Sequence, residues 1–521
     1  MKDAQISDNM IIDNSLSFAQ NHCKKFDVKF RKNKGQFFTP KNVAKFMADN
    51  IKLDKKNIRI LDPGAGTGIL IAAVCDRIAS EKTHSSSIII DAYENDKNLI
   101  PFLKDTLTLC QKKLLQNGHQ LKYNISNSNF IIDNDYSIFQ KRLISTKKEI
   151  KIYDLVIANP PYYKLKIQSP ESLLLKDFVF GQPNIYSLFM IMAMQLIKDN
   201  GSFVFIIPRS FCSGLYYRKI RNWFVKNTQI KIIHCFESRL KIFEDNVHQE
   251  IVILIGIKTN ADQNKSTKIS ISYDKTFKKS FSFFAQNQII FEQKSPESFI
   301  RIPQSENDLK IIQEIDSYNN SLKSLGLEIS TGKVVDFRTR ENLIFNSEDT
   351  NWVPLLWMHN LKEGVIEWPS KTYTKPQGIL LNNKTKKQLI PVDNYILLKR
   401  FTSKCQKRRL YAIPLFKKDF RQFSLIGLEN HLNYIYGVDK SISDTDLMGI
   451  TALLNTSFYD IYFRTISGNT QVNATDMRTI PLPSIKKIRE IGKNAKNQKF
   501  QPSRKMDLLI GRILNVNELV V

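Results

Sequence analysis

Cysteine is scarce in this sequence. The six cysteines, Cys23, Cys75, Cys110, Cys212, Cys235 and Cys405, form no C-x-x-C pair, and none lies beside a ligand-spaced histidine. That argues against a disulfide framework and a zinc ribbon, and no metal is expected. Long apolar runs are missing too. The most apolar stretch, Ile185 to Ile197, is interrupted by Tyr186, Ser187 and Gln195 and is too short to cross a bilayer. Met1 to Ser17 is polar and acidic, with no signal-peptide core, so a cytoplasmic location and no membrane partner are expected. No internal repeat is visible. Acidic residues are also in deficit, with 50 Asp+Glu against 77 Lys+Arg and a net charge of +27.

What is present is a globular composition, 42% apolar and 11% aromatic, over 521 residues. A chain of that length divides into two or three domains. Its positive charge favours a polyanionic partner, most simply nucleic acid, over a merely soluble surface.

Between residues 58 and 257, short apolar runs alternate with helix-like stretches. Strands are expected at Ile58–Leu61, Ile88–Tyr93, Phe130–Ile132, Tyr153–Ala158, Ser202–Ile207, Ile230–Phe236 and Glu250–Ile257. The clearest helical patterns are Thr67–Ala79, Leu99–Leu115, Ile185–Lys198 and Leu215–Asn227. Such alternation predicts an α/β fold with a doubly wound, Rossmann-like sheet, its last two strands antiparallel. Residues 260–310 turn polar, and from about 311 mixed short segments predict a separate α+β domain. The expected organisation is an N-terminal extension (1–34), the α/β domain (35–262), a linker or peripheral extension (263–310) and the second domain (311–521).

The segment Asp62-Pro63-Gly64-Ala65-Gly66-Thr67-Gly68 closes a strand and opens a helix. Its glycines permit a tight turn and close approach of backbone to a ligand. It lacks the third glycine of a dinucleotide fingerprint and the lysine of a P-loop. The next strand ends in Glu94, a carboxylate placed to accept hydrogen bonds from ribose hydroxyls. A solvated loop acid is the plainer reading of Glu94 alone; with the loop, it favours a nucleoside-bearing cofactor.

The strand Tyr153–Ala158 runs into Asn159-Pro160-Pro161-Tyr162. Two prolines stiffen the backbone and remove two amide donors, leaving carbonyls as acceptors. Asn159 adds a side-chain carbonyl. Acceptors suit an amine that must be positioned while it attacks an electrophile, and an aromatic ring after the prolines can stack on a flat base. The plainer reading is a rigid turn.

The segment Gly35-Gln36-Phe37-Phe38-Thr39-Pro40, the D-P-G-A-G-T-G loop and N-P-P-Y, in that order, resemble the adenine-N6 DNA methyltransferases of the gamma arrangement. The resemblance implies S-adenosyl-L-methionine as methyl donor and direct transfer to the N6 amine of a flipped adenine. It places Thr39 and Pro40 at the methionine end of the cofactor, Asp62, Gly64, Gly66 and Gly68 in the cofactor loop, and Glu94 on the ribose. Where the family carries an Asp-Phe pair for the cofactor's adenine, this chain has Ser128-Asn129-Phe130. Asn129 and Phe130 are the expected adenine contacts, with Asp133 and Asp135 as alternatives to Asn129. Asn159 and the Pro160 carbonyl would hold the target amine. Phe243, in the loop Lys241–Val247, would sandwich the base with Tyr162 in a step of base extrusion costing roughly a few kcal/mol, against about 1–3 kcal/mol returned per stacking aromatic.

In the second half, Lys399, Arg400, Lys404, Lys407, Arg408, Arg409, Lys417, Lys418 and Arg421 are opposed by Asp419 alone, with Phe401, Tyr411 and Phe416 interleaved. This density suits phosphate contact; the plainer reading is a solvated positive face. The segments 330–338, 399–401, 429–434 and 468–476 resemble the PstI-like branch of the family, which implies a DNA target-recognition domain. Asn469, Gln471 and Asn473 carry amides suited to base edges or phosphates. The resemblance makes double-stranded DNA the substrate and the chain the modification component of a bacterial restriction-modification system. It is expected to act as a monomer, with cleavage left to a separate cognate endonuclease. An RNA or protein-glutamine methyltransferase with the same N-P-P-Y chemistry, or a non-catalytic DNA-binding subunit, are the alternatives.

Overall fold

The computed structural model describes residues 10–81, 87–135, 152–237, 250–292, 298–345, 351–370, 374–402, 406–468 and 471–519. The chain divides into two compact units, Met1–Arg301 and Ile302–Val521.

The first unit is built on one sheet of nine strands: β1 (Asn57–Asp62), β2 (Ser87–Tyr93), β3 (Gln120–Ser126), β4 (Tyr153–Ala158), β5 (Ile197–Pro208), β6 (Thr228–Phe236), β7 (Ile251–Lys258), β8 (Ser266–Ser272) and β9 (Ser280–Gln286). Their spatial order is β3-β2-β1-β4-β5-β7-β6-β8-β9. The pairs β1/β2, β1/β4, β2/β3 and β4/β5 are parallel. The strand β7 inserts antiparallel between β5 and β6. Every residue of β4 is buried, as expected of a central parallel strand covered on both faces. Helices Ile11–Lys25, Lys41–Asp49, Ile69–Ser80 and Ile100–Gln116 form one packed group, and Ile185–Leu196 and Arg218–Asn227 pack together on β5 and β6. This is the doubly wound α/β fold expected, antiparallel last pair included.

One expected strand is misplaced. Phe130–Asp133 is a helical turn, and the third strand is Gln120–Ser126. That strand lies at the margin of the sheet with one face exposed, so it has no apolar run to announce it. Residues 263–310, expected as a linker or peripheral extension, contribute β8 and β9 at the other margin, and the unit continues to Arg301.

The second unit combines a four-stranded antiparallel sheet, ordered Leu327–Thr331, Leu432–Gly437, Tyr395–Lys399 and Ala412–Leu415, with a five-stranded sheet around Trp352–Leu356. Helices that include Asp444–Leu454, Ser457–Ile466 and Ile485–Ala495 accompany them. Its core gathers Leu397, Ile413, Leu415, Ile426 and Leu432, all buried. Among the described residues, no helix is long and apolar enough to cross a membrane.

Candidate functional site

The strand order reverses between β1 and β4, where the chain leaves β1 for β2 on one side and later enters β5 on the other. In open α/β sheets, ligands bind outside the strand ends at such a switch point. Both motifs of the first unit lie there, the glycine loop after β1 and the tetrad after β4.

The loop is held by the end of β2. Ala65 N donates to the Tyr93 carbonyl at 2.9 Å, and Gly66 N donates to Glu94 Oε2 at 2.9 Å. Gly66 and Gly68 have φ of +57° and +85°, left-handed values that favour glycine. Glu94 Oε1 accepts from Asp96 N at 2.7 Å, so the acid clamps the loop while also lining the cavity in front of it. Burial raises the Glu94 carboxyl above its ordinary pKa, opposed by these amides. Asp62 is fully buried and is not among the cavity-lining residues. Its Oδ1 accepts from Gly64 N at 3.3 Å, and its Oδ2 has no hydrogen-bond partner among the described residues. Burial pushes this carboxyl up to about 8, the Gly64 amide opposing and the Glu94 charge adding. Asp62 therefore braces the loop from behind.

The tetrad is fixed by the segment 35–40. Asn159 Nδ2 donates to the Phe37 carbonyl at 2.7 Å and to Thr39 Oγ1 at 3.0 Å. Because the Phe37 carbonyl can only accept, the amide orientation of Asn159 is decided and its Oδ1 is the accepting end. The Tyr162 hydroxyl lies 2.7 Å from that Oδ1 and 2.8 Å from the Ile206 carbonyl. Gly35, at φ +65°, lies so close that a Cβ there would come within 2.7 Å of Tyr162 N. Pro40 opens the helix Lys41–Asp49, where a missing amide costs nothing. The Tyr162 ring corrects one expectation. It is 8% exposed, with Phe37 stacked on it at 5.7 Å and Tyr186 edge-on at 5.9 Å, so a face expected to meet a base is already filled. Its neighbour Tyr163 is half-buried and lines the cavity.

These elements enclose a cavity of about 380 Å³. Gly64, Gly66, Glu94, Asn159 and Pro161 line it together with Thr39, Phe38, Asn129, Phe130 and Phe189. Phe130 packs between Tyr93 and Phe189, at 5.2 and 5.3 Å. Asn129 is committed elsewhere. Its Oδ1 caps the turn Phe130–Asp133, accepting from Ile131 N and Ile132 N, and its Nδ2 donates to Glu171 at 2.8 Å. That leaves little of its side chain for a cofactor's adenine, correcting the expected role. Asp133 bonds the Ser128 hydroxyl, and Asp135 has an interaction of its own.

Gln36 and Asp96 escaped sequence reasoning as cavity residues, joined by a Gln36 Nε2–Asp96 Oδ2 bond of 2.8 Å. So did Phe189, which sits unmarked in an apolar helix. A further contact had no sequence signal at all. The Ser15 hydroxyl donates to the Thr67 carbonyl at 2.9 Å, tying the N-terminal helix to the glycine loop. Phe243, with the loop Lys241–Val247, lies outside the described residues.

In the second unit, burial sorts the basic stretch. Arg409 is 1% exposed, its guanidinium 5.1 Å over Phe463 and within reach of the Ser467 and Gln471 carbonyls. A side chain so placed cannot reach a phosphate, which corrects its expected role. Arg408 pairs with buried Asp507 at 3.2 Å. Arg400 donates to the Asn430 carbonyl and to Gln471 Oε1. Asn473 bonds Asp476 at 3.2 Å. Lys399 lies half-buried over Tyr411, and burial lowers its pKa. Lys407 remains exposed. Lys404 and Asn469 lie outside the described residues. Among those residues, no group of three potential ligands could hold a metal.

A doubly wound sheet with a glycine-loop cavity at its switch point makes the first unit a Rossmann-like α/β domain with a ligand site. Residues 74–243 match the family model of the Eco57I restriction-modification methylase. The chain is 37% identical to the Type II methyltransferase M.BsuBI of Bacillus subtilis, across 88% of this chain and 89% of that protein. It is 30% identical to the Type II methyltransferase M.PstI of Providencia stuartii, across 98% of each. The chain therefore belongs to the Type II methyltransferases of restriction-modification systems, and it is a modification methylase. Among solved structures it is similar to a DrdV–DNA complex, with a TM-score of 0.49 and 14% identity over 96% of this chain and 59% of that one.

Proposed function

We propose that this enzyme methylates the N6 amine of adenine in duplex DNA. The observation that carries the reading is the amide orientation of Asn159. With Nδ2 spent on Phe37 and Thr39, the side chain offers its oxygen, and an exocyclic amine is the donor it suits. Asn159 Oδ1 and the Pro160 carbonyl accept the two amine hydrogens and turn the nitrogen lone pair out of the ring plane. Tyr162 steadies Asn159 through its hydroxyl, and Pro161 stiffens the backbone between them. No covalent enzyme intermediate is needed. Phe243 remains the proposed second aromatic beside an extruded base.

The cavity fits S-adenosylmethionine. Apolar Phe130, Tyr93 and Phe189 suit an adenine ring, Glu94 suits a ribose diol, and the backbone of Gly64 and Gly66 together with Thr39 would flank the methionine part, with Pro40 next to Thr39 in the chain. When bound, the cofactor supplies an electrophilic methyl group on a positively charged sulfur. The first unit would then carry the chemistry and the second unit DNA recognition, with a separate endonuclease for the same site.

Purified protein should transfer labelled methyl groups from S-adenosylmethionine to duplex DNA, and nucleoside digestion should return N6-methyladenine. N4-methylcytosine would reassign the base. Label in RNA or in protein glutamine would overturn the substrate, and DNA binding without cofactor binding by calorimetry would mark a non-catalytic subunit.

A further inference from the structure

Four segments scattered over some 140 residues of the second unit meet at one end of its four-stranded sheet. Gly332 N donates to the Leu432 carbonyl, Asn430 N to Val334, Arg400 N to His431, and Val472 N to Arg400, at 2.7–2.9 Å. Asn433, fully buried, joins two of the segments at once. Its Nδ2 donates to the Val472 carbonyl at 2.6 Å, and its Oδ1 accepts from Thr331 Oγ1 at 2.8 Å. Gly332 passes so close that a Cβ would come within 2.3 Å of the Glu429 carbonyl. The platform is tied together by backbone and side-chain hydrogen bonds from all four segments.

One pair on it looks outward. The Glu429 side chain is 1% exposed and that of His431 is 45% exposed, with Oε1 and Nδ1 2.6 Å apart. Glu429 Oε2 also accepts from His431 N at 3.0 Å, so the acid grips both ends of the residue. The ring edge meets Phe401 at 4.5 Å. The Nε2 of His431 has no partner among the described residues. Nearby stand the Asp336–Lys375 ion pair and Phe337, which is 73% exposed.

Burying a carboxylate against a half-exposed imidazole is a poor way to gain stability, since taking the charge out of water costs much of what the pairing returns. Arg400 and Asn433 already tie the segments together. What the pair adds is a fixed, outward-facing imidazole nitrogen. We propose that His431 is a sequence-reading residue, held by Glu429 so that Nε2 contacts a purine edge in the major groove of the target DNA. The inference rests on the DNA-methyltransferase reading above. With Nδ1 set 2.6 Å from the carboxylate, Nε2 is the ring atom left to face the groove, where a purine edge offers N7 as an acceptor and, in adenine, the N6 amine as a donor. Phe337 and Lys375 lie where they can meet the neighbouring base or phosphate.

The test is selection of bound duplexes from a random pool by the full-length protein, wild type against His431→Ala and His431→Gln. Methylation of the selected DNA is measured in parallel. Loss of preference at one position of the enriched motif is expected, with roughly ten- to a hundredfold weaker binding to the original site and unchanged non-specific binding. Glu429→Gln should blur the same position to a lesser degree. An unchanged motif, or equal weakening on all sequences, would overturn the proposal. Thermal unfolding identifies a variant that fails to fold, and His431→Gln is then the variant to read. A wild type that selects a motif but never methylates it would count against the enzymatic reading alone, because the selection still decides the role of His431.

Discussion

The corner where β1 and β4 end and the basic stretch 399–409 are both dense in functional residue types, yet the fold treats them differently. At the corner, Gly64, Gly66, Glu94, Thr39 and Asn159 gather around one cavity. In the stretch, adjacent residues part ways: Lys407 is exposed, Arg408 half-buried and Arg409 buried. The corner is organised by backbone, through strand ends, prolines and positive φ, which follow from local sequence. The stretch is defined by composition alone, and whether an arginine meets solvent or a core carbonyl depends on what packs over it.

The sharpest way to break this contrast is at Asn159. Asn159→Ala should lower methylation about a hundred- to a thousandfold, as loss of one oriented group does in other active sites. DNA affinity should hardly change, and turnover near normal would remove the proposed role. Gly35→Ala is next. A Cβ there strains a left-handed backbone and pushes on Tyr162 N, so methylation should drop with Asn159 itself intact. Normal activity in a folded variant would show that the 35–40 segment does not position the tetrad.

Arg409→Ala and Lys407→Ala test the other side of the comparison. The first should cost about 2–3 kcal/mol of stability, seen as a lower Tm. The second should leave Tm unchanged and reduce the salt dependence of DNA binding by about one unit of slope. Reversed outcomes would mean that burial does not divide the stretch.

Asp62 gives a pH signature. Its carboxyl, pushed up to about 8 from an ordinary 3.8, stays protonated in the folded chain over a range where the unfolded chain has lost the proton. The folded state binds more protons there, so stability falls as pH rises through that window, by up to about 1.4 kcal/mol per pH unit for one group. Asp62→Asn should flatten the Tm profile across that range; parallel profiles would contradict the buried acid. The smallest effect is expected at Asn129. Asn129→Ala should cost about 1 kcal/mol as a lost helix cap and leave cofactor affinity nearly unchanged. A large loss of affinity would return Asn129 to the cofactor.

Much of the corner was legible because each signal was local. Asp62 to Gly68 and Asn159 to Tyr162 declare a turn by residue type alone, and the apolar run before each declares a strand. The strand Gln120–Ser126 was not legible, because a marginal strand with one exposed face carries Lys122 and Asn124 where a buried one would carry valine or isoleucine. Tyr162 was read as a base-stacking ring, but Phe37 fills one face of it across more than a hundred residues of chain. Ser15, holding the glycine loop from the N-terminal helix, left no trace in the sequence.

By itself, the sequence determined the α/β alternation, the glycine turn, the acceptor-rich tetrad and the resemblance that points to methyl transfer, since all of these reside in short contiguous segments. Only the tertiary structure decided which way Asn159 faces, that Asn129 caps a helix, that Arg409 is core, and that His431 rests on Glu429. These depend on burial and on how the backbone sets one side chain against another, as when Asn159 meets Phe37 more than a hundred residues away, and neither quantity is a property of the residues alone.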